Sequence, residues 1–384
     1  MNRPPSDFRP EHSDPRRAAC RFSPRAPQLH RFIAPAAVAL VAYLCGPLCA
    51  AERIVRDAKG LRTALAALQA GDTLRIAPGT YPGGQYVKGI ARLTVVALDP
   101  RQPPVFEGGR TGWHFSECPE LTLRHLHVRG QSVNGINLDD GGAGKPLVTG
   151  VRIENVRVSD IGPDGNYDGI KASGLRGAVI RDCVVTGWGG QAIDFVGCHD
   201  VLVTGCRFIG KPGFRATVGV QIKGGSSGVV VEKCRFENAG ERPVNIGGST
   251  GLAFFRPPGA KHEAKNVTVR GNHIEGSLCA AAFVGVDGAL FEDNTVLFPG
   301  RWLFRILQEN RTEGFVPCRN GVVRGNRIVF RRADIREDVN TSPGVAAETF
   351  RFENNRWFAE DRPAASKPRL PAPEQGGVHG ADPR

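Results

Sequence analysis

Between Val218 and Gly251 the chain reads VGVQIKGGSSGVVVEKCRFENAGERPVNIGGSTG. Hydrophobic and polar residues alternate in 218–223, 229–236 and 243–246, and glycine-rich turns separate the three runs. Strict alternation over such short runs predicts strands with one buried face. The opposite faces carry Gln221, Lys223, Glu241, Arg242 and Asn245, a dense polar load for one stretch of sheet.

From Leu121 onward the central run recurs as a template: apolar, any, apolar, two polar residues, a special position, any, apolar. It reads LTLRHLHV, VRIENVRV, AVIRDCVV, VLVTGCRF, VVVEKCRF, VTVRGNHI, ALFEDNTV, GVVRGNRI and FRFENNRW, ending at Trp357. The special position is Leu126, Val156, Cys183, Cys206, Cys234, Asn272, Asn294, Asn326 and Asn355, at steps of 22 to 38 residues. Repeats of this loose period predict stacked coils with loops of variable length. Residues at one register then stack at about 4.8 Å. Asparagines in such a column can bond one another and the turn backbone, and the cysteines fill the same slot as buried thiols. The expected fold is all-β, a single-stranded right-handed parallel β-helix. Before it, apolar residues at 61, 65 and 68 have a helical period, predicting a capping helix over the open N-terminal end.

A second strand follows most special positions, centred on Ile136, Ile170, Ile193, Val220, Val244 and Phe304. Beside these centres, facing outward, stand Asn137, Lys171, Asp194, Gln221, Asn245 and Arg305, with Asp168 and Arg242 at strand entries. One outward column is thus rich in amides and charges. The long segment 249–264 adds Phe254, Phe255 and Arg256, an aromatic and basic group suited to gripping a sugar chain. The histidines, His114 among them, show no shared register and read as surface or turn residues.

Composition adds compartment and partner. Residues 33–50 form a short apolar run behind Arg25, His30 and Arg31 and end in small residues. That is the pattern of a secretory signal, with an unusually long basic segment before it. Three divisions follow: a signal peptide over 1–50, the β-helix domain over 51–358, and a disordered tail over 359–384, where proline, alanine and glycine replace periodicity. A periplasmic or secreted location is expected, with no membrane insertion once the signal is removed. Seven cysteines lie beyond the signal, so at least one is a free thiol, and none shows metal-ligand spacing. The formal charge is +12, and +8 without the first 50 residues. A basic protein suits an anionic partner. From charge alone that partner is a polyuronate or sulfated glycan, or nucleic acid; with the resemblance given below, an acidic polysaccharide is expected, with no nucleic acid, and the chain is expected to be monomeric.

GDTLRIAPGTY at 71–81 together with the coils and their asparagine column resembles the pectate-lyase-like superfamily of right-handed β-helix proteins over about residues 52–358. That superfamily holds lyases, hydrolases, epimerases and adhesive proteins. Lys223 and Arg242 look like the lysine base and arginine of the chondroitinase-B and alginate-lyase group, which implies β-elimination on an acidic polysaccharide. Lys171 and Arg242 nearby would lower the pKa of Lys223 by like charge, as a general base requires. The Arg-His-Gly turn of that group is absent, Asn245-Ile246-Gly247 standing instead, and its paired calcium-binding glutamates are not evident. No metal site is assigned, no cofactor is required by the pattern, and calcium is left open; Glu107 and Asp139-Asp140 are the nearest to metal ligands. The alternatives are a glycoside hydrolase or uronan epimerase using Asp168 and Asp194, or a glycan-binding surface protein without catalysis. Tyr167-Asp168-Gly169-Ile170 resembles a polygalacturonase motif, although the paired-aspartate and Gly-His-Gly motifs of those enzymes are missing. The catalytic set under the lyase reading is Lys223, Arg242, Asp194 and Asp168. Asn137, Lys171, Gln221, Asn245, Phe255, Arg256 and Arg305 are expected to contact the substrate.

Overall fold

The computed structural model describes residues 50–384; the expected signal peptide lies outside them. The chain winds as a right-handed parallel β-helix whose coils build three large parallel sheets of 14, 12 and 10 strands. Among the described residues no helix is long and apolar enough to cross a membrane.

Each eight-residue template straddles a corner between two sheets. The run 229–236 was expected as one strand; it is two, Val230–Glu232 and Arg235–Glu237. Lys233 between them has φ of 52°. The equivalent residue in the other eight units (His125, Asn155, Asp182, Gly205, Gly271, Asp293, Gly325, Asn354) also has positive φ. Left-handed backbone is cheapest for Gly, Asn and Asp, which explains why the second polar position of the template is drawn largely from them. The corner turns the next residue, the special position, into the interior.

There the expected ladder forms. Asn272 Nδ2 donates to Val231 O at 3.0 Å and to Asn294 Oδ1 at 2.9 Å, and its own Oδ1 accepts the Cys234 amide at 2.9 Å. Asn294, Asn326 and Asn355 repeat the arrangement. In the earlier coils Cys183, Cys206 and Cys234 direct their thiols at carbonyls of the preceding coil. All seven described cysteines are buried and free. Aliphatic stacks complete the core: Leu123, Ile153, Ile180, Val203 and Val231 lie in register on successive coils, each no more than 1% exposed. Burying each such side chain contributes roughly 1.5–3 kcal/mol.

Both ends are covered. Helix Ala58–Ala66, N-capped by Asp57, packs Leu61 and Ala64 onto the first coil. The segment 359–384 corrects the expectation of a disordered tail. Glu374–Gln375 and Val378–His379 pair with the last full coil, and Glu374 Oε1 accepts from Asn355 Nδ2 at 2.9 Å and Trp357 Nε1 at 3.1 Å. The asparagine column needs an acceptor at its end, and Glu374 supplies it.

Candidate functional site

The 10-stranded sheet carries the polar column. The chain bends at the entries of its strands, which lets residues three apart there meet on the same side. Asp168 and Lys171 form such a pair, as do Arg242 with Asn245 and Glu337 with Asn340. The bend is tight: a Cβ at Gly169 would lie 2.6 Å from Ala192 O, so glycine is required there. In register across the sheet stand Tyr86, His114, Asn137, Lys171, Asp194, Gln221 and Asn245, then Ala282, Arg305 and Asn340.

At the centre, Lys171 Nζ donates to Asp168 Oδ2 at 2.9 Å and Asp194 Oδ2 at 2.8 Å. Lys223 Nζ sits 3.1 Å from Asp194 Oδ1, close enough for charge pairing but off the hydrogen-bonding direction. Both carboxylates are fully buried, whereas the lysine side chains are 27% and 15% exposed. Burial opposes a charge on Lys171, but Asp194 and Asp168 outweigh it and hold the ammonium above its ordinary pKa. Burial likewise opposes ionisation of Asp194, yet Lys223 and Lys171 keep it below the usual carboxylate range. Asp168 goes the other way: burial, then the charge of Asp194, push it up to about 6. Of the two acids, Asp168 is the one that takes up a proton near neutrality.

The amino groups of Lys171 and Lys223 open into a cleft of about 680 Å³, with Asn137, Ser173 and Asp139 on one side and Thr250, Ala253 and Phe254 on the other. Asp194 forms its floor beneath the lysines. Asp139 accepts from His114 Nε2 at 2.5 Å, Ser116 Oγ at 2.7 Å and Gly141 N at 2.9 Å. Burial opposes its charge, and these bonds prevail, holding it at about 2.

Several expected site residues stand elsewhere. Arg242 pairs in register with Val218, so it lies five residues, about 16 Å along the strand direction, from the level of Lys223. It bonds Asn245 and Glu309 instead. The neighbour of Lys223 is therefore a carboxylate, and the like-charge environment expected from Arg242 is not present. Gln221 and Asn245 are buried, both donating to Gly247 O at a bulge in the pairing. Phe255 is 1% exposed and packs edge-on against Phe315; Phe254, 62% exposed, stands at the cleft in its place. Arg256 does line the cleft, but Asp140 holds its guanidinium through bonds of 2.7 and 2.6 Å, so that it anchors the 249–264 loop. Arg305 lies beyond the cleft, beside Asn340. Asp168 is sealed beneath Lys171.

Tyr86 and His114 were missed. They occupy the same column, ring centroids 5.0 Å apart, and His114 does share the register denied to it. The signal was present in the alternation of Thr111–Ser116, 23 residues before Asn137 at the same position. Among the described residues no three His, Cys, Asp or Glu side chains converge as a metal cluster. Glu107 pairs with Arg129, Asp140 with Arg256, and Asp139 with His114.

The family description "right handed beta helix region" matches residues 111–296. No curated protein sequence matches the chain. Among solved structures, the chain is similar to an endo-xylogalacturonan hydrolase from Aspergillus tubingensis (13% identity, 85% of this chain and 92% of that one, TM-score 0.54). It is also similar to a mannuronic acid specific polysaccharide family 6 lyase from human gut microbiota (13%, 85% and 82%, 0.52). A third is the Dettilon tailspike protein (12%, 85% and 66%, 0.53). At these identities the similarity is one of fold.

Proposed function

We propose that this right-handed parallel β-helix protein cleaves an acidic polysaccharide by β-elimination in the Lys171–Lys223 cleft. The observation that carries the reading is the layering of the site: the amino groups of two lysines face the cleft and both carboxylates are buried behind them. Hydrolysis of a glycosidic bond needs a carboxyl group at the bond to protonate it and a second to attack or activate water. Asp168 does not line the cleft, and Asp194 reaches it only as the floor beneath the lysines with no solvent-exposed side chain, which argues against that pair as acid and base.

Elimination asks for what the surface offers. A uronate carboxylate must be neutralised so that the C5 proton becomes acidic, and Lys171, kept protonated by its two acids, is a fixed cation for that purpose. Lys223 in its neutral form takes the C5 proton. The C4–O bond breaks as the C4=C5 bond forms, and the same amine, now protonated, returns its proton to the leaving oxygen. Asp194 orients both lysines from below. Asn137 and Phe254 border the space for the neighbouring sugars.

Screening alginate, pectate and glycosaminoglycans tests the reading. Elimination gives unsaturated sugar ends that absorb in the ultraviolet; hydrolysis gives reducing ends without that absorbance. Binding without turnover on every polyanion would favour a glycan-binding protein instead.

A further inference from the structure

The C-terminal coils of the same sheet carry a second, separate cluster of charge. Of the four tryptophans, Trp113, Trp188 and Trp357 have no exposed surface, whereas Trp302 is partly exposed on the outward side. The guanidinium carbons of Arg301 and Arg305 stand 4.5 and 4.3 Å from its ring centroid. Arg301 Nε is buried without a hydrogen-bond partner. Arg305 occupies the same column as Lys171, five coil steps along it, or about 24 Å at the usual strand spacing.

Between Asn245 and Arg305 the column holds only Ala282, so no long side chain fills the space between that coil and the arginine. The loop after Leu307 reaches back here, and Glu309 Oε1 accepts from Arg242 Nη2 at 2.9 Å. Arg305 bonds only the neutral Asn340 Oδ1, at 3.0 Å, and no carboxylate pairs with it among the described residues. Burial, then the charge of Arg242, lower its pKa. Glu241 and Glu309 act on Arg305 less than Arg242 does, Glu337 accepts from Asn340, and the carboxylate that pairs with Arg242 comes from the protein's own loop. A uronate carboxylate has the same chemistry as Glu309 and forms the same charge-assisted bonds to arginine.

We propose that Arg242, Arg305 and Trp302 form a second binding site, for a carboxylate-bearing sugar of the acidic chain, entered by displacing Glu309. The proposal rests on the reading of the cleft as a polyuronate site and adds that the protein holds the chain at two points. A glycosidic repeat is close in length to one coil step, so an octamer spans both sites and a trimer does not.

Trp302, the partly exposed tryptophan of the four, makes the test direct. Galacturonate and mannuronate oligomers of three and eight residues are titrated against tryptophan emission, with turnover measured in parallel. The octamer should change the emission, and Trp302→Phe should abolish that change. Arg305→Gln should lower the ratio of octamer to trimer affinity about tenfold, as the loss of a charge-assisted bond implies. Glu309→Gln should raise octamer affinity. Octamer turnover with no emission change, or an unaltered affinity ratio in Arg305→Gln, overturns the second site. An emission change without turnover leaves the second site standing and overturns the elimination reading. If neither appears, both fall.

Discussion

Lys171 is a cation because two buried carboxylates keep it one, and Asp168 sets how strong that field is. With its pKa raised to about 6, Asp168 loses its proton as pH rises through that value, and the net charge of the cluster falls by one. Polyanion binding should therefore tighten as pH drops through about 6, and Asp168→Asn should flatten the dependence; affinity titrations on either side of that pH check it. The linkage to folding has a definite sign. The native state binds a proton that the unfolded chain, with an ordinary aspartate near 3.8, releases. The stabilisation from Asp168 is complete below 3.8 and is lost as pH rises through about 6. Lys171, Asp194 and Lys223 were legible in the sequence because alternation fixes which face a residue takes. Arg242 was expected at a strand entry and lies there, but its pairing with Lys223 fails, since a spacing of 19 residues falls short of a full coil and sets it level with Val218. Gln221 and Asn245 faced the expected way, but the bulge after Gln221 brought the Gly247 carbonyl over their amides.

The elements depend on backbone groups being satisfied at corners and ends. Asn326 accepts from Asn294 N and Nδ2 and donates to Phe291 O and Asn355 Oδ1, all buried. Asn326→Ala orphans several of these at once, and each buried orphan costs about 1–3 kcal/mol. Glu374→Ala frees the last rung, nearer the surface, and should cost less; urea unfolding of the two variants gives the comparison. The loop 249–264 is tied to the coil by the buried Arg256–Asp140 pair. Removing one partner of such a pair costs about 3–5 kcal/mol locally. Asp140→Asn should therefore speed hydrogen exchange in 250–260 well above that of the core strands. The ladder could be read from the sequence since Asn, Gly and Asp recur at fixed offsets. Closure of the C-terminal end could not, because Glu374 and Trp357 meet across residues that show no period.

For the whole molecule, the nine-unit repeat made the coil architecture plain, and the uneven steps between units gave the lengths of the loops. What the repeat did not carry is where those loops fold. Phe254 rather than Phe255 reaches the cleft, and Glu309 crosses to Arg242, through contacts with no periodic signature. Tyr86 and His114 lie in coils preceding the first full template, so the column extends further toward the N-terminus than the repeat alone indicates. The result is a sheet with the lysine cleft toward one end and an arginine cluster toward the other.

In the proposed elimination Lys223 takes the C5 proton. This role is tested most directly by ultraviolet absorbance during incubation of the protein with a polyuronate, for the wild type and for Lys223→Ala of matched unfolding midpoint. Absorbing unsaturated ends should grow steadily with the wild type. The variant should lose about a hundredfold or more, as for removal of a general base. Reducing ends released without absorbance, or full activity in Lys223→Ala, would contradict this role.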